Sequence, residues 1–75
     1  MMSAYFFGVR NGSMTKADIE LREMSAKAHG ATFIFSHQPD GPRSWFEVPN
    51  RGEPRNKRIE MAVLAELARL GREVV

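Results

Sequence analysis

The stretch that decides the fold is Ala31-Thr32-Phe33-Ile34-Phe35-Ser36-His37, then Gln38-Pro39-Asp40-Gly41-Pro42, then Ser44-Trp45-Phe46-Glu47-Val48, closed by Pro49. Its first and last segments are rich in β-branched and aromatic side chains, which suit a pleated, half-buried surface. The middle segment carries turn chemistry: Pro39 presets φ, Asp40 accepts backbone hydrogen bonds, and Gly41 permits a left-handed residue. Two such strands around such a loop predict an antiparallel hairpin. Phe33 and Phe35 fall on one face of it, because side chains alternate with a period of two. The same period sends one of the adjacent pair Trp45 and Phe46 away from the core. The pairing register, which the residues leave open, decides which.

A helix precedes the hairpin over about 15–29. Thr15 with Asp18 three residues on is close to a capping box, in which each side chain satisfies the other's free backbone N–H. Ala17, Leu21, Met24 and Ala28 recur at helical spacing as an apolar stripe. Glu23 and Lys27 stand at i, i+4 in the favourable order, and Gly30 suits the residue that ends a helix with positive φ. Before this helix, Tyr5, Phe7 and Val9 alternate with Phe6, Gly8 and Arg10 over 4–10, which predicts a short strand ending at the Asn11-Gly12 turn.

After the hairpin, residues 49–56 read as a polar loop. Asn56 is placed to cap a second helix running to about Leu70 and stopping at Gly71. Ile59, Val63, Leu67 and Leu70 form its core stripe. Met61, Leu64, Ala65 and Ala68 form a second apolar strip on roughly the opposite side at 100° per residue. The expected order is β-α-β-β-α. It makes one small α+β domain over 1–75, with two helices packed on one face of a short antiparallel sheet.

Composition narrows the functional classes. Seventy-five residues bury only roughly 60% of the surface that the unfolded chain exposes, and a core of that size rarely supplies more than about 3–5 kcal/mol. Cysteine is absent, which excludes disulfides and thiolate metal sites. Oligomerisation is the remaining way to reinforce so small a core. No apolar run reaches the length of a membrane span. The opening Met1–Val9 is apolar but lacks a basic start and is cut short by Arg10 and Asn11, so a cytoplasmic location is expected rather than a leader.

Candidate chemistry is sparse. His29 falls at a helix C-terminus, where the helix dipole favours a cation. His37 near Asp40 has the residue types of a base oriented by a carboxylate, but no nucleophile or second acid accompanies it. Two histidines without cysteine make a weak metal set, and no glycine-rich phosphate loop is present. No catalytic residue, cofactor or metal is therefore expected. The net charge is +2, and its surplus lies late in the chain. Arg51, Arg55, Lys57 and Arg58 crowd into eight residues, and Arg69 shares a side of the second helix with Arg58, so this set is the candidate nucleic-acid footprint.

His37-Gln38-Pro39-Asp40-Gly41, a short strand, Val48-Pro49 and a final helix resemble the C-terminal part of HicA-type toxins, small ribonucleases with a double-stranded-RNA-binding-like fold. The resemblance covers fewer than half of the residues. It implies ribonuclease activity as one alternative. The family's catalytic histidine follows Gly-Ser on the preceding strand, where this chain reads Gly30-Ala31-Thr32, and one strand of that family before the hairpin has no counterpart here. That activity would lack its central residue.

The surplus of apolar surface outweighs these signals. The leading expectation is a non-enzymatic interaction module that contacts a protein partner or a second copy through Trp45, Met61, Leu64, Ala65 and Ala68. A nucleic-acid module built on Arg51, Arg55, Lys57, Arg58 and Arg69 is the alternative.

Overall fold

A computed structural model describes residues 3–74. Five elements follow the expected order: β1 (Ala4–Asn11), α1 (Lys16–Ala28), β2 (Thr32–Gln38), β3 (Gly41–Pro49) and α2 (Arg55–Val74). The strands form one antiparallel sheet in the order β1-β3-β2. Both helices cover the same face of it, and the molecule is only 14 Å through its thinnest dimension, the depth of one sheet and one helix layer.

The hairpin is tighter than its turn-rich sequence predicts. Gln38 pairs with Gly41, leaving Pro39 and Asp40 as the loop, and the register continues through Phe35↔Ser44, Ile34↔Trp45 and Phe33↔Phe46. Phe46 is therefore the residue that turns inward. It lies 2% exposed, stacked on Phe7 at 5.2 Å and tilted against Phe33 at 5.1 Å. Such aromatic contacts add about 0.5–1.5 kcal/mol beyond their area. Val48, Ala26 and the fully buried Val63 complete the core, flanked by Tyr5, Ala31, Phe33, Ile59 and Leu67.

On β1 the simple alternation fails after Phe7. Phe7 pairs with Phe46 and Arg10 with Ser44, so Gly8 and Val9 together oppose Trp45 in a β-bulge. Gly8 adopts φ +62°, the left-handed conformation that a bulge of this kind takes from glycine. Tyr5 and Phe7 face the helices as expected, but Val9 is 63% exposed. The extra residue turns Val9 to the helix-free face, and Arg10, opposite Ser44, takes the helix-side register instead.

At the start of α1 the capping box forms completely. Thr15 Oγ1 accepts from the Asp18 N–H at 3.1 Å, and Asp18 Oδ2 accepts from the Thr15 N–H at 3.4 Å. The helix closes at the cap residue His29, with Gly30 at φ +73°. The face of α1 that enters the core is not the predicted stripe. Ser25 and Ala26 are buried, whereas Ala17, Met24 and Ala28 are exposed and Leu21 is half-buried. Small residues allow the helix backbone to come close to the sheet, and that proximity outweighs the larger side chains of the stripe. The exposed pairing on α1 is Lys16 with Glu20 at 4.0 Å.

Two expectations for the second helix are corrected. Asn56 does not cap α2; it lies within the first turn and is 4% exposed. Its Oδ1 accepts from the Arg51 N–H at 3.0 Å and its Nδ2 donates to Asn50 Oδ1 at 2.7 Å. It thus closes the loop back onto the helix. Gly71 does not stop the helix either, since α2 continues to Val74. One glycine costs a helix only about 1 kcal/mol, within what tertiary contact offsets.

Candidate interaction surface along the first strand

β1 is an edge strand, hydrogen-bonded to β3 on one side only. α2 lies along it. The Tyr5 hydroxyl donates to Glu60 Oε1, and Leu64, one helical turn further, reaches over Gly8: its Cδ2 lies 3.8 Å from where a Gly8 Cβ would stand. The opposite flank of α2 faces α1, where His29 Nε2 meets Glu66 Oε1 at 3.4 Å. Strand and helix thus share one outer wall.

Exposed apolar side chains flank the β1 edge on both faces of the sheet. Phe6 at 54% and Val9 belong to β1, and Met61 at 63% and Leu64 at 39% belong to α2. Among the described residues only Met24 joins them as an exposed large apolar side chain. Ala65 and Ala68 are exposed on the same helix. Trp45 lies in mid-strand on the helix-free face of the sheet, the face onto which Val9 opposite it and Phe6 opposite Glu47 also project. There it is half-buried, pairs with Ile34 and donates from Nε1 to Glu47 Oε1 at 3.0 Å. The expected contact residues therefore divide between two layers, with β1 at their boundary.

The pattern Tyr5, Phe7, Val9 concealed the strand's part in this surface. Val9 reads as core until the Gly8 bulge shifts the alternation, and Phe6 reads as merely the outer side of a strand. A glycine inside a strand pattern was the one available signal of a bulge.

Glu60 and Glu53 stand near Tyr5: the hydrogen bond to Glu60 chiefly, then burial, then the Glu60 and Glu53 charges, raise the phenol pKa from its ordinary value. Lys57 Nζ sits 3.5 Å from the other Glu60 oxygen. The Arg10 end is basic: burial first, and then the neighbouring Arg10 charge, lower the Arg22 guanidinium pKa.

Two of the basic candidates are paired with carboxylates. Arg69 is held by Glu66 and Glu73, and Lys57 by Glu60. Arg51, Arg55 and Arg58 are exposed and cluster near the start of α2. Arg58 and Arg69 are eleven residues apart, roughly 16 Å along a helix at 1.5 Å per residue.

His37 is exposed at the hairpin end, edge-on to Phe35 at 5.2 Å, and Asp40 pairs with Arg43 Nη2 at 3.1 Å rather than with His37. Among the described residues no three histidine or carboxylate side chains are grouped to hold a metal, and no helix is long and apolar enough to cross a membrane. Neither protein-family models nor curated proteins nor solved structures yield a match to the chain.

Proposed function

We propose that the protein is a non-enzymatic interaction module that docks on a protein surface through the β1 edge and the adjoining flank of α2. The observation that carries this reading is a strand edge that pairs on one side only, flanked by exposed Phe6 and Val9 on one face and by exposed Met61 and Leu64 of α2 on the other. Unpaired strand backbone flanked by apolar side chains is what a second strand or an apolar partner face covers. Trp45, on the same sheet face as Phe6 and Val9, adds a half-buried aromatic that a larger partner would reach.

The test is co-purification from the native host of the intact chain and of a Phe6→Asp/Leu64→Asp variant. Both substituted sites are exposed, so the variant is expected to fold. The intact chain is expected to travel in a complex, with another protein or with itself, that the variant loses. A chain that travels as a free monomer in both forms would end this reading.

A second reading is supported by the exposed Arg51, Arg55 and Arg58 at one end of the molecule, for which no carboxylate partner is found among the described residues. On that reading the loop contacts nucleic-acid phosphates, and affinity for DNA or RNA falls steeply with salt. Absence of binding to either polymer at low salt would remove it.

A further inference from the structure

We propose that the occupant of the β1 edge is a second copy of this chain, its β1 running antiparallel to the first about a two-fold axis at Phe7–Gly8. This rests on the docking reading above and names the partner. The two sheets would then join into one of six strands, β2-β3-β1-β1-β3-β2, with the two α2 helices antiparallel above the seam.

Three features of the wall converge on that axis. The first is apolar matching. With the axis between Phe7 and Gly8, Phe6 stands opposite Val9 of the partner copy and Val9 opposite its Phe6, so the two exposed apolar residues of β1 cover each other twice. Cross-strand neighbours of this kind are the unit of sheet stabilisation.

The second is the placement of α2. Leu64 overlies Gly8, so an axis through Phe7–Gly8 also brings Leu64 towards Leu64 of the partner copy. Met61 of each helix then lies against the other's Ala68. Alanine at that contact lets the helices approach closely, within the 8–10 Å spacing usual for packed helices.

The third is charge. The Tyr5 end of β1 lies beside Glu60, and the other end carries the exposed Arg10. Antiparallel pairing sets Arg10 opposite the partner copy's Tyr5 and within reach of its Glu60, again twice. A parallel arrangement would set Arg10 beside Arg10. A foreign strand offers no such built-in match. Self-complementarity of this form is what an isologous two-fold interface requires.

The bulge at Gly8–Val9 works against a long ladder, because bulges twist an edge away from a neighbour. Strand pairing is therefore confined to short arms on either side of the axis, and the helix flank supplies much of the buried surface. The wall is 14 Å deep and no more than 34 Å long, about 950 Å² at most for the two copies together, which places the contact among the small, weak interfaces below roughly 1,200 Å² in total. A dimer of about micromolar strength is expected.

Sedimentation of the purified intact chain over a hundredfold concentration range tests this. The mass is expected to rise from 8.5 kDa to twice that value. Arg10→Glu and Glu60→Arg should each weaken the dimer about tenfold or more, since each sets like charges opposite each other. Mixing the two variants should restore association, because both cross-axis contacts in the mixed dimer then join opposite charges. A purely structural role for either residue would not be rescued by mixing. Leu64→Arg, substituted at an exposed site on the axis, should remain folded by circular dichroism and be monomeric.

A monomer at every concentration, a Leu64→Arg protein as dimeric as the parent, or no recovery on mixing would each overturn the proposal. Monomeric purified protein that still captures a foreign protein through Phe6 and Leu64 would retire self-pairing and leave the docking reading standing. Loss of both would retire both.

Discussion

Replacing Gly8 by alanine adds one methyl group at the most constrained point of the fold. A Cβ there would stand 2.9 Å from Phe46 Cδ2 and 3.2 Å from Cε2. Phe46 cannot retreat, because Phe7 stacks on one side of its ring and Phe33 packs against it. Overpacking of this kind costs about 1–3 kcal/mol. The left-handed φ of +62° costs a non-glycine residue about 1–2 kcal/mol more. A total of about 3 kcal/mol follows, most of the roughly 3–5 kcal/mol that a core of this size supplies.

Gly30 separates the two contributions. Its φ of +73° is similar, yet nothing lies within 4 Å of its would-be Cβ. Gly30→Ala should cost only the conformational share, about 1–2 kcal/mol. Urea unfolding followed by Trp45 fluorescence, at one fixed protein concentration, measures both. Near 4–8 °C per kcal/mol for a domain of this length, Gly8→Ala should lower Tm by roughly 12–24 °C. Equal losses for the two variants, or a loss below about 1 kcal/mol for Gly8→Ala, would refute the role given to Phe46.

Asn56→Ala should destabilise by about 1–3 kcal/mol in the same assay, because the Arg51 N–H loses its acceptor and Asn50 Oδ1 loses a donor where Asn56 is buried. Its amide protection from hydrogen exchange should fall first in the 50–56 loop. Stability should also depend on pH at both extremes. The hydrogen bond from Arg69 chiefly, and that with His29, lower the Glu66 pKa against the opposing effect of burial. Its contribution is therefore complete above the unfolded carboxylate value and disappears as pH falls through the folded one. Tyr5 behaves in the opposite sense: its raised pKa gives a contribution present below the ordinary phenol value and lost as pH rises through the folded value. Acid and alkaline unfolding of Glu66→Gln and Tyr5→Phe, each flatter than the parent in its own range, checks both signs.

Local chemistry by itself determined the five elements and their order. Thr15 with Asp18, Gly30, and the Pro39-Asp40-Gly41 turn act within a few residues, so their consequences are written into adjacent positions. The inward stripe Ile59, Val63 and Leu67 was likewise legible as a helical period. Four features were not legible, and each depends on residues far apart in the chain. Phe46 rather than Trp45 turns inward because of a pairing register, and β1 lies beside β3 rather than beside β2. Ser25 and Ala26 displace the larger stripe of α1 because close approach between helix and sheet depends on the size of side chains across the gap. Val9 joins Phe6 and Trp45 on the helix-free face only because the bulge at Gly8 fits over the Phe46 ring, a contact between residues thirty-eight positions apart. A sequence specifies which faces are apolar; only packing in three dimensions decides which of them find cover.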